Sequence, residues 1–265
     1  MRNNLILSIG EVVWDLFPEG AVLGGAPLNV AYHLQAQALP VLVASRIGVD
    51  DLGRQTLTRI RESGLAVDAI QMDRRHPTGR VTVQMESGNE PRFDIEQPAA
   101  WDHIQAAGVE GVVAGRPFHL VCGTLAQRHP ESRETIRGLW QQASTIFYDV
   151  NLRPPFTPMA HVRESLQAAQ VVKVNSEELA VLDKALVGSG GGEEEQAAAL
   201  LAAFDLRLLA VTRGSRGGLL ITAGECHSHP GFAVKVVDTV GSGDAFFSDI
   251  IAGYLAREDR QSTLL

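Results

Sequence analysis

The sequence has few cysteines, no excess of basic residues and no long apolar run. The only two cysteines, Cys122 and Cys226, lie far apart, which fits neither a zinc site nor a disulfide framework and favours a reducing cytoplasm. We expect each to be a small buried apolar side chain. The formal net charge of −8, from 31 acidic and 23 basic residues, argues against nucleic-acid partners, which require a basic surface.

The N-terminal segment MRNNLILSIGEVVWD contains an apolar run too short for a signal peptide, because Glu11 and Asp15 interrupt it. No apolar run is long enough to cross a membrane. We therefore expect a cytoplasmic protein with no membrane partner.

Short apolar segments alternate with amphipathic ones along most of the chain. This pattern is typical of a mostly parallel sheet that helices cover on both faces. We predict a doubly wound α/β fold in which residues 1–265 form one domain. The predicted strands are Leu5–Ile9, Val41–Ile47, His119–Cys122, Ile146–Val150, Val171–Val174 and Leu208–Thr212, and the clearest helices are Leu52–Ser63 and Glu131–Ala143.

One region has a different pattern. From Gly79 the segment RVTVQM alternates apolar and polar residues, and RFDI follows after SGNEP. Such a hairpin has one wet face and suits a small antiparallel flap or lid. We place the lid elements within about 12–24 and 79–96, with Trp14–Leu23 pairing with the hairpin. The open edge of such a flap could also join two copies of the chain in a homodimer.

The segment VVDTVGSGDAFF carries the strongest chemical signal. An apolar run leads through Asp238 to Gly241, Ser242 and Gly243, and a helix containing Asp244 follows. A turn of small residues at a helix N-terminus presents free N–H groups and the positive end of the helix dipole to a phosphate. Asp244 is either a simple helix-start acid or a carboxylate that takes a proton from an attacking hydroxyl. Neither GxxxxGK[ST] nor GxGxxG occurs, so a different scaffold must bind the phosphate.

A second glycine turn, GGAPLNVA, lies near the N-terminus. Gly25 permits close approach of a ligand, and Asn29 offers both a donor and an acceptor. Asp15 follows the first strand on the side where open α/β sheets bind ligands. Read alone, each of these features is also compatible with a purely structural role.

Together, GGAPLNVA and DTVGSGDAF resemble the paired signatures of the ribokinase-like (PfkB-type) carbohydrate kinases. IGVDDLG, VKVNSEE and AVTRGSRGG match further family segments, and IGEVVWDLFPE and YDVNLRPPF are similar to fructokinase and 2-keto-3-deoxygluconate kinase members. The resemblance covers most of the chain. It implies an ATP-dependent enzyme that phosphorylates a sugar, with fructose as the leading substrate.

The resemblance also implies roles for individual residues. Asp244 matches the catalytic base, and the amides of Gly241, Ser242 and Gly243 match an anion hole. The other matched positions are Asp15, Gly25, Asn29 and Arg153 for the sugar, Thr212 and Gly214 for the nucleotide, Asn175 and Glu178 for Mg²⁺ held through water, and Asp238 with the Val240 carbonyl for part of a K⁺ site. Arg153 is equally compatible with a surface position before Pro154 and Pro155.

Two features depart from the family pattern. Ala26 stands where ribokinases carry a lysine, which disfavours ribose. The chain ends at Leu265, where relatives continue, so we expect normal sugar binding with a raised KM for ATP.

The alternative substrates are 2-keto-3-deoxygluconate, ribose and nucleosides. A catalytically dead sensor of sugar or nucleotide is the alternative of another class. His227 and His229 could bind a metal, but a loop position without a third ligand favours no site.

Overall fold

A computed structural model describes residues 4–17, 20–85, 91–233 and 240–263. The strands are β1 Leu5–Ile9, β2 Val13–Phe17, β3 Gly20–Gly24, β4 Val41–Gly48, β5 Ile70–Asp73, β6 Gly79–Met85, β7 Pro91–Ile95, β8 Phe118–Gly123, β9 Ile146–Asp149, β10 Val171–Asn175, β11 Leu208–Thr212, β12 Gly218–Ile221 and β13 Cys226–His229. The helices are α1 Ala26–Ala36, α2 Asp51–Glu62, α3 Ala106–Val113, α4 Pro130–Trp140, α5 Met159–Ala168, α6 Ser176–Leu182, α7 Glu193–Ala203 and α8 Ser242–Thr263.

Nine of these strands form the main sheet, in the order β13-β12-β11-β10-β9-β8-β1-β4-β5. The strands from β11 to β5 along this order run parallel, and β12 and β13 pair antiparallel at one edge. This confirms the predicted doubly wound α/β fold. The six predicted strands occur within one residue of their expected ends.

Successive residues of the strands enter two different hydrophobic cores. Ile6, Val121, Phe147 and Val171 pack on the face that α1, α2 and α8 cover. Their strand neighbours point to the opposite face, which α3 to α7 cover; these neighbours are Leu7, Leu120, Cys122, Tyr148 and Val172. Because side chains alternate along a strand, a sheet covered on both faces requires continuous apolar strands, as the sequence shows.

The remaining strands form a second sheet, in the order β3-β2-β6-β7. The hairpin β6–β7 is antiparallel, as predicted, and β2 pairs with β6 in parallel. The second sheet is therefore mixed rather than wholly antiparallel, because β2 arrives from the end of β1 and not through a hairpin turn. A small core that includes Val13, Val81, Ile95 and Trp101 lies against it. Residues 86–90, which contain most of the SGNEP turn, lie outside the described residues.

The expectations for Cys226 and for the two nearby histidines are wrong. Cys226 is exposed rather than buried, and His227 and His229 lie on β13 rather than in a loop. Both errors have one cause, because β13 is an edge strand of the main sheet and all four of its residues are exposed. Within the described part of the chain, no helix is long and apolar enough to cross a membrane.

The start of β6 depends on a glycine. A Cβ atom at Gly79 would collide with the indole of Trp101 and lie 2.8 Å from the carbonyl oxygen of Val12. We expect Gly79→Ala to lower the free energy of unfolding by about 2 kcal/mol, because neither neighbour can retreat without disturbing the core. Chemical denaturation measures this effect.

Gly111→Ala is the matched control, since nothing lies within 4 Å of the added carbon in helix α3. That variant should be as stable as the wild type or slightly more stable, because alanine favours helix. Equal stability of the Gly79→Ala variant and the wild type would contradict this packing.

Candidate active site

One cavity opens where the strand order of the sheet reverses. β4 and β8 flank β1 on opposite sides, and such switch points form crevices at the carboxyl ends of parallel strands. The cavity measures about 480 Å³. Its polar and glycine lining residues are Glu11, Asp15, Gly25, Asn29, Asn151, Arg153, Lys173, Gly241, Gly243 and Asp244.

The N-terminal glycine turn forms one wall of this cavity. Gly25 has φ +111° and precedes α1, and a Cβ atom there would collide with the carbonyl oxygen of Glu11. Only glycine fits this position without strain. Asn29, in the first turn of α1, donates from Nδ2 to Oδ2 of Asp244 over 2.8 Å. The two sequence signatures, 215 positions apart at these residues, therefore meet in one site.

The second glycine turn, at Gly241 to Gly243, leads into α8 and lines the same cavity. Gly241 has φ +74°, a conformation that favours glycine, and its carbonyl oxygen accepts from the N–H of Ala245. Asp244 lies in the first turn of this helix. Burial raises the pKa of Asp244 to about 6, although the hydrogen bond from Asn29 lowers it. A carboxylate with this pKa can accept a proton near neutral pH.

Glu11 is a site residue that the sequence reading missed. Its side chain is almost fully buried, with 3% exposed, and Oε2 has no hydrogen-bond partner among the described residues. Burial raises the pKa of Glu11 to about 7. The signal in the sequence is a charged residue two positions after the end of a buried strand at the switch point.

Asp149 and Lys173 form a pair of site residues that the sequence reading also missed. They are partners in the parallel register of β9 and β10, and Lys173 Nζ lies 3.0 Å from Oδ1 and 3.3 Å from Oδ2 of Asp149. Both side chains are buried. The signal was a lysine inside the apolar strand VVKVN, because lysine is rarely buried without a specific partner.

A second cavity, of about 610 Å³, lies next to the α8 N-terminus. Thr212, Gly214, Ser242 and Gly243 line it, together with His227, His229 and Phe246. Gly243 lines both cavities. The turn at the start of α8 is therefore the place where the two cavities meet.

The remaining candidate residues divide into three groups. Arg153 is exposed but lines the first cavity, and Val240 lines it as well. Asn175 and Glu178 line neither cavity and instead form a capping box for α6, each accepting the other's backbone N–H at 2.8 Å. Asp238 lies outside the described residues.

Comparisons with known proteins match this chain to carbohydrate kinases. Residues 19–264 match the family model described as pfkB family carbohydrate kinase. A fructokinase of Klebsiella pneumoniae is 29% identical over 96% of this chain and 85% of its own length. The solved fructokinase of Vibrio cholerae O395 with fructose, ADP and calcium is 26% identical, with TM-score 0.79 over 92% of this chain and 82% of that chain. A double mutant of that fructokinase with fructose, ADP and potassium has the same identity and TM-score, over 94% and 82% of the chains.

The raised pKa of Glu11 has a consequence for stability. Because its folded-state pKa of about 7 exceeds the ordinary value of 4.5, the folded protein binds this proton more tightly than the unfolded chain does. The stabilisation is fully present below pH 4.5 and is lost as the pH rises through 7. We expect Glu11→Gln to gain stability relative to the wild type between pH 5 and pH 8, by on the order of 3 kcal/mol.

Chemical denaturation at several pH values measures this difference. Glu110→Gln, on the exposed side of α3, is the control and should follow the wild-type pH dependence. A difference between Glu11→Gln and the wild type that stays constant with pH would contradict a protonated buried carboxyl.

Proposed function

The chain belongs to the pfkB family of carbohydrate kinases, and we propose that it transfers the γ-phosphoryl group of ATP to a hydroxyl group of fructose. One observation carries the proposal. A polar cavity and a glycine-lined cavity meet at Gly243, and the carboxylate of Asp244 faces the polar one. A phosphoryl group must pass between two substrates at such a point, and an acceptor for the hydroxyl proton must lie beside it.

The first cavity suits a sugar. Asp15, Asn29 and Arg153 offer acceptors and donors for several hydroxyl groups, and the backbone at Gly25 is open to close approach. Burial raises the pKa of Asp15, and the charge of Arg153 lowers it. Burial deprives the ionised Asp15 carboxylate of hydrogen bonds from water, and the hydroxyl groups of a bound sugar would supply such bonds instead.

The mechanism follows from the position of Asp244. The sugar hydroxyl attacks the γ-phosphorus, its proton moves to the Asp244 carboxylate, and the bond from phosphorus to the β-phosphate oxygen breaks toward ADP. The amides of Gly241, Ser242 and Gly243 and the positive end of the α8 dipole stabilise the negative charge on the transferring group. Preorganised donors of this kind need no rearrangement during the reaction.

The second cavity suits the nucleotide. Thr212 and Gly214 border it, and Phe232 and Phe246 add two phenyl rings to its glycine-rich surface. Mg²⁺ bound to ATP would neutralise phosphate charge. Glu178 fits a role through water only, because its oxygens accept the backbone N–H groups of Leu152 and Asn175 and have only their remaining lone pairs to offer. The partial K⁺ site at Asp238 and the carbonyl of Val240 stays a prediction.

The second sheet would act as a lid over the sugar. Val13, Asp15, Val81 and Ile95 of this sheet line the first cavity, so its closure would exclude water from the transfer. Strands β3 and β7 are the edges of the sheet, and Val22 on β3 is 54% exposed. A second copy of the chain would cover such an edge, which supports the homodimer.

One observation favours a second substrate. The guanidinium of Arg153 borders the sugar cavity, and its planar fork suits a carboxylate. The sugar acid 2-keto-3-deoxygluconate is therefore the alternative acceptor.

A coupled assay of ADP release tests the function with fructose, 2-keto-3-deoxygluconate, ribose and adenosine. We expect fructose to give the highest kcat/KM. Asp244→Asn should lower kcat by at least ~10²-fold, because the base is lost, while calorimetry shows unchanged fructose binding.

Asp249→Asn is the control, since Asp249 lies on the exposed side of the same helix and should leave kcat unchanged. Saturable binding of sugar or nucleotide without turnover of any acceptor would instead support a sensor.

A further inference from the structure

Lys173 lies where an uncharged side chain would be expected. It is on β10, in the middle of the main sheet, and its side chain is 7% exposed. Val171, two residues earlier, packs in the core beneath α1 and α8. Because alternate residues of a strand share a face, the Lys173 side chain points to the side of the sheet that carries α8.

The ammonium group reaches the turn at the start of α8. A Cβ atom at Gly243 would lie 3.1 Å from Nζ and 3.6 Å from Cε of Lys173. Gly243 is the residue that lines both cavities, and Lys173 itself lines the first. The positive charge therefore lies at the place where the two cavities meet.

Lys173 also has hydrogen-bonding capacity to spare. An ammonium group has three N–H donors, and the two hydrogen bonds described for it both go to Asp149. At least one donor is therefore available to a ligand. Burial lowers the pKa of Lys173, but the charges of Asp149, Glu178 and Asp244 outweigh burial and raise it, so the side chain remains a cation.

A role in stability alone explains this arrangement poorly. Desolvation of two buried charges usually offsets their attraction, and apolar residues of similar size would stabilise the sheet as well or better. A lysine whose only task was to neutralise Asp149 would not need to lie beside the turn at Gly243. A negatively charged ligand at that turn accounts for the extra positive charge.

We propose that Lys173 is a catalytic residue of the phosphoryl transfer, an inference that rests on the proposed function. Its ammonium donates a hydrogen bond to an oxygen of the γ-phosphoryl group as that group passes Gly243. The bond to the β-phosphate oxygen breaks with its electron pair going to ADP, the bond to the sugar oxygen forms, and the hydroxyl proton goes to Asp244. Lys173 keeps its own proton throughout.

Lys173→Met removes the charge and nearly preserves the length of the side chain. We expect it to lower kcat by ~10²- to 10³-fold, the range for loss of one donor to a developing oxyanion, with KM for fructose changed less than ~3-fold. Lys184→Met is the matched control, because Lys184 is exposed and lines neither cavity; it should behave as the wild type.

The double variant Asp149→Asn, Lys173→Met separates catalysis from simple neutralisation. If Lys173 only compensated Asp149, removal of both charges would restore kcat to within a few fold of the wild type. That result would overturn the proposal. We expect the double variant to stay at least ~10²-fold slow, with a melting temperature closer to the wild type than that of Lys173→Met.

A binding measurement separates this proposal from the proposed function. Calorimetry of ADP with tetrafluoroaluminate, a mimic of the transferring phosphoryl group, needs no sugar turnover. Lys173→Met should weaken that binding at least ~10-fold relative to the wild type and leave the binding of ADP alone unchanged. Equal binding of the mimic by both proteins would refute the role of Lys173, whereas absence of sugar turnover in the wild type would refute only the proposed function.

Discussion

The packing of α1 against α8 on one face of the sheet determines where the chemistry can occur. These helices come from opposite ends of the chain, and each begins at a glycine turn that follows an apolar segment. Their packing brings Asn29 within 2.8 Å of Asp244, although the residues are 215 positions apart. The hydrogen bond fixes the carboxylate at the N-terminus of α8, where the helix dipole favours negative charge.

The same arrangement concentrates acidic groups where they are largely shielded from water. Burial raises the pKa values of Glu11, Asp149, Glu178 and Asp244, and Lys173 lies among them as a buried cation. Such a set of charges costs folding free energy and is typical of functional sites. Substrates would offset part of this cost, because sugar hydroxyl groups and Mg²⁺-bound phosphates can form hydrogen bonds and ion pairs with these groups.

The sequence predicted the architecture well, because each cue was local. Apolar strands, glycine turns and the alternating hairpin depend on neighbouring residues, and all appear close to their expected positions. The Glu11, Asp149 and Lys173 assignments depend instead on strand register and burial, which join residues from distant segments. For Asn175 and Glu178 the local pattern has two meanings. The family resemblance predicts a magnesium role for them, but two such residues three positions apart also form a helix capping box. The errors at Cys226, His227 and His229 arose because composition does not reveal which strand is outermost.

The central claim is that Asp244, partly buried and held by Asn29, accepts the proton of the sugar hydroxyl. The pH dependence of kcat/KM for fructose tests it most directly, because this ratio reports ionisations of the free enzyme. With the pKa of Asp244 at about 6, kcat/KM should fall about tenfold per pH unit below pH 6. A kcat/KM that stays constant from pH 8 down to pH 5, in a protein that remains folded, would contradict the account.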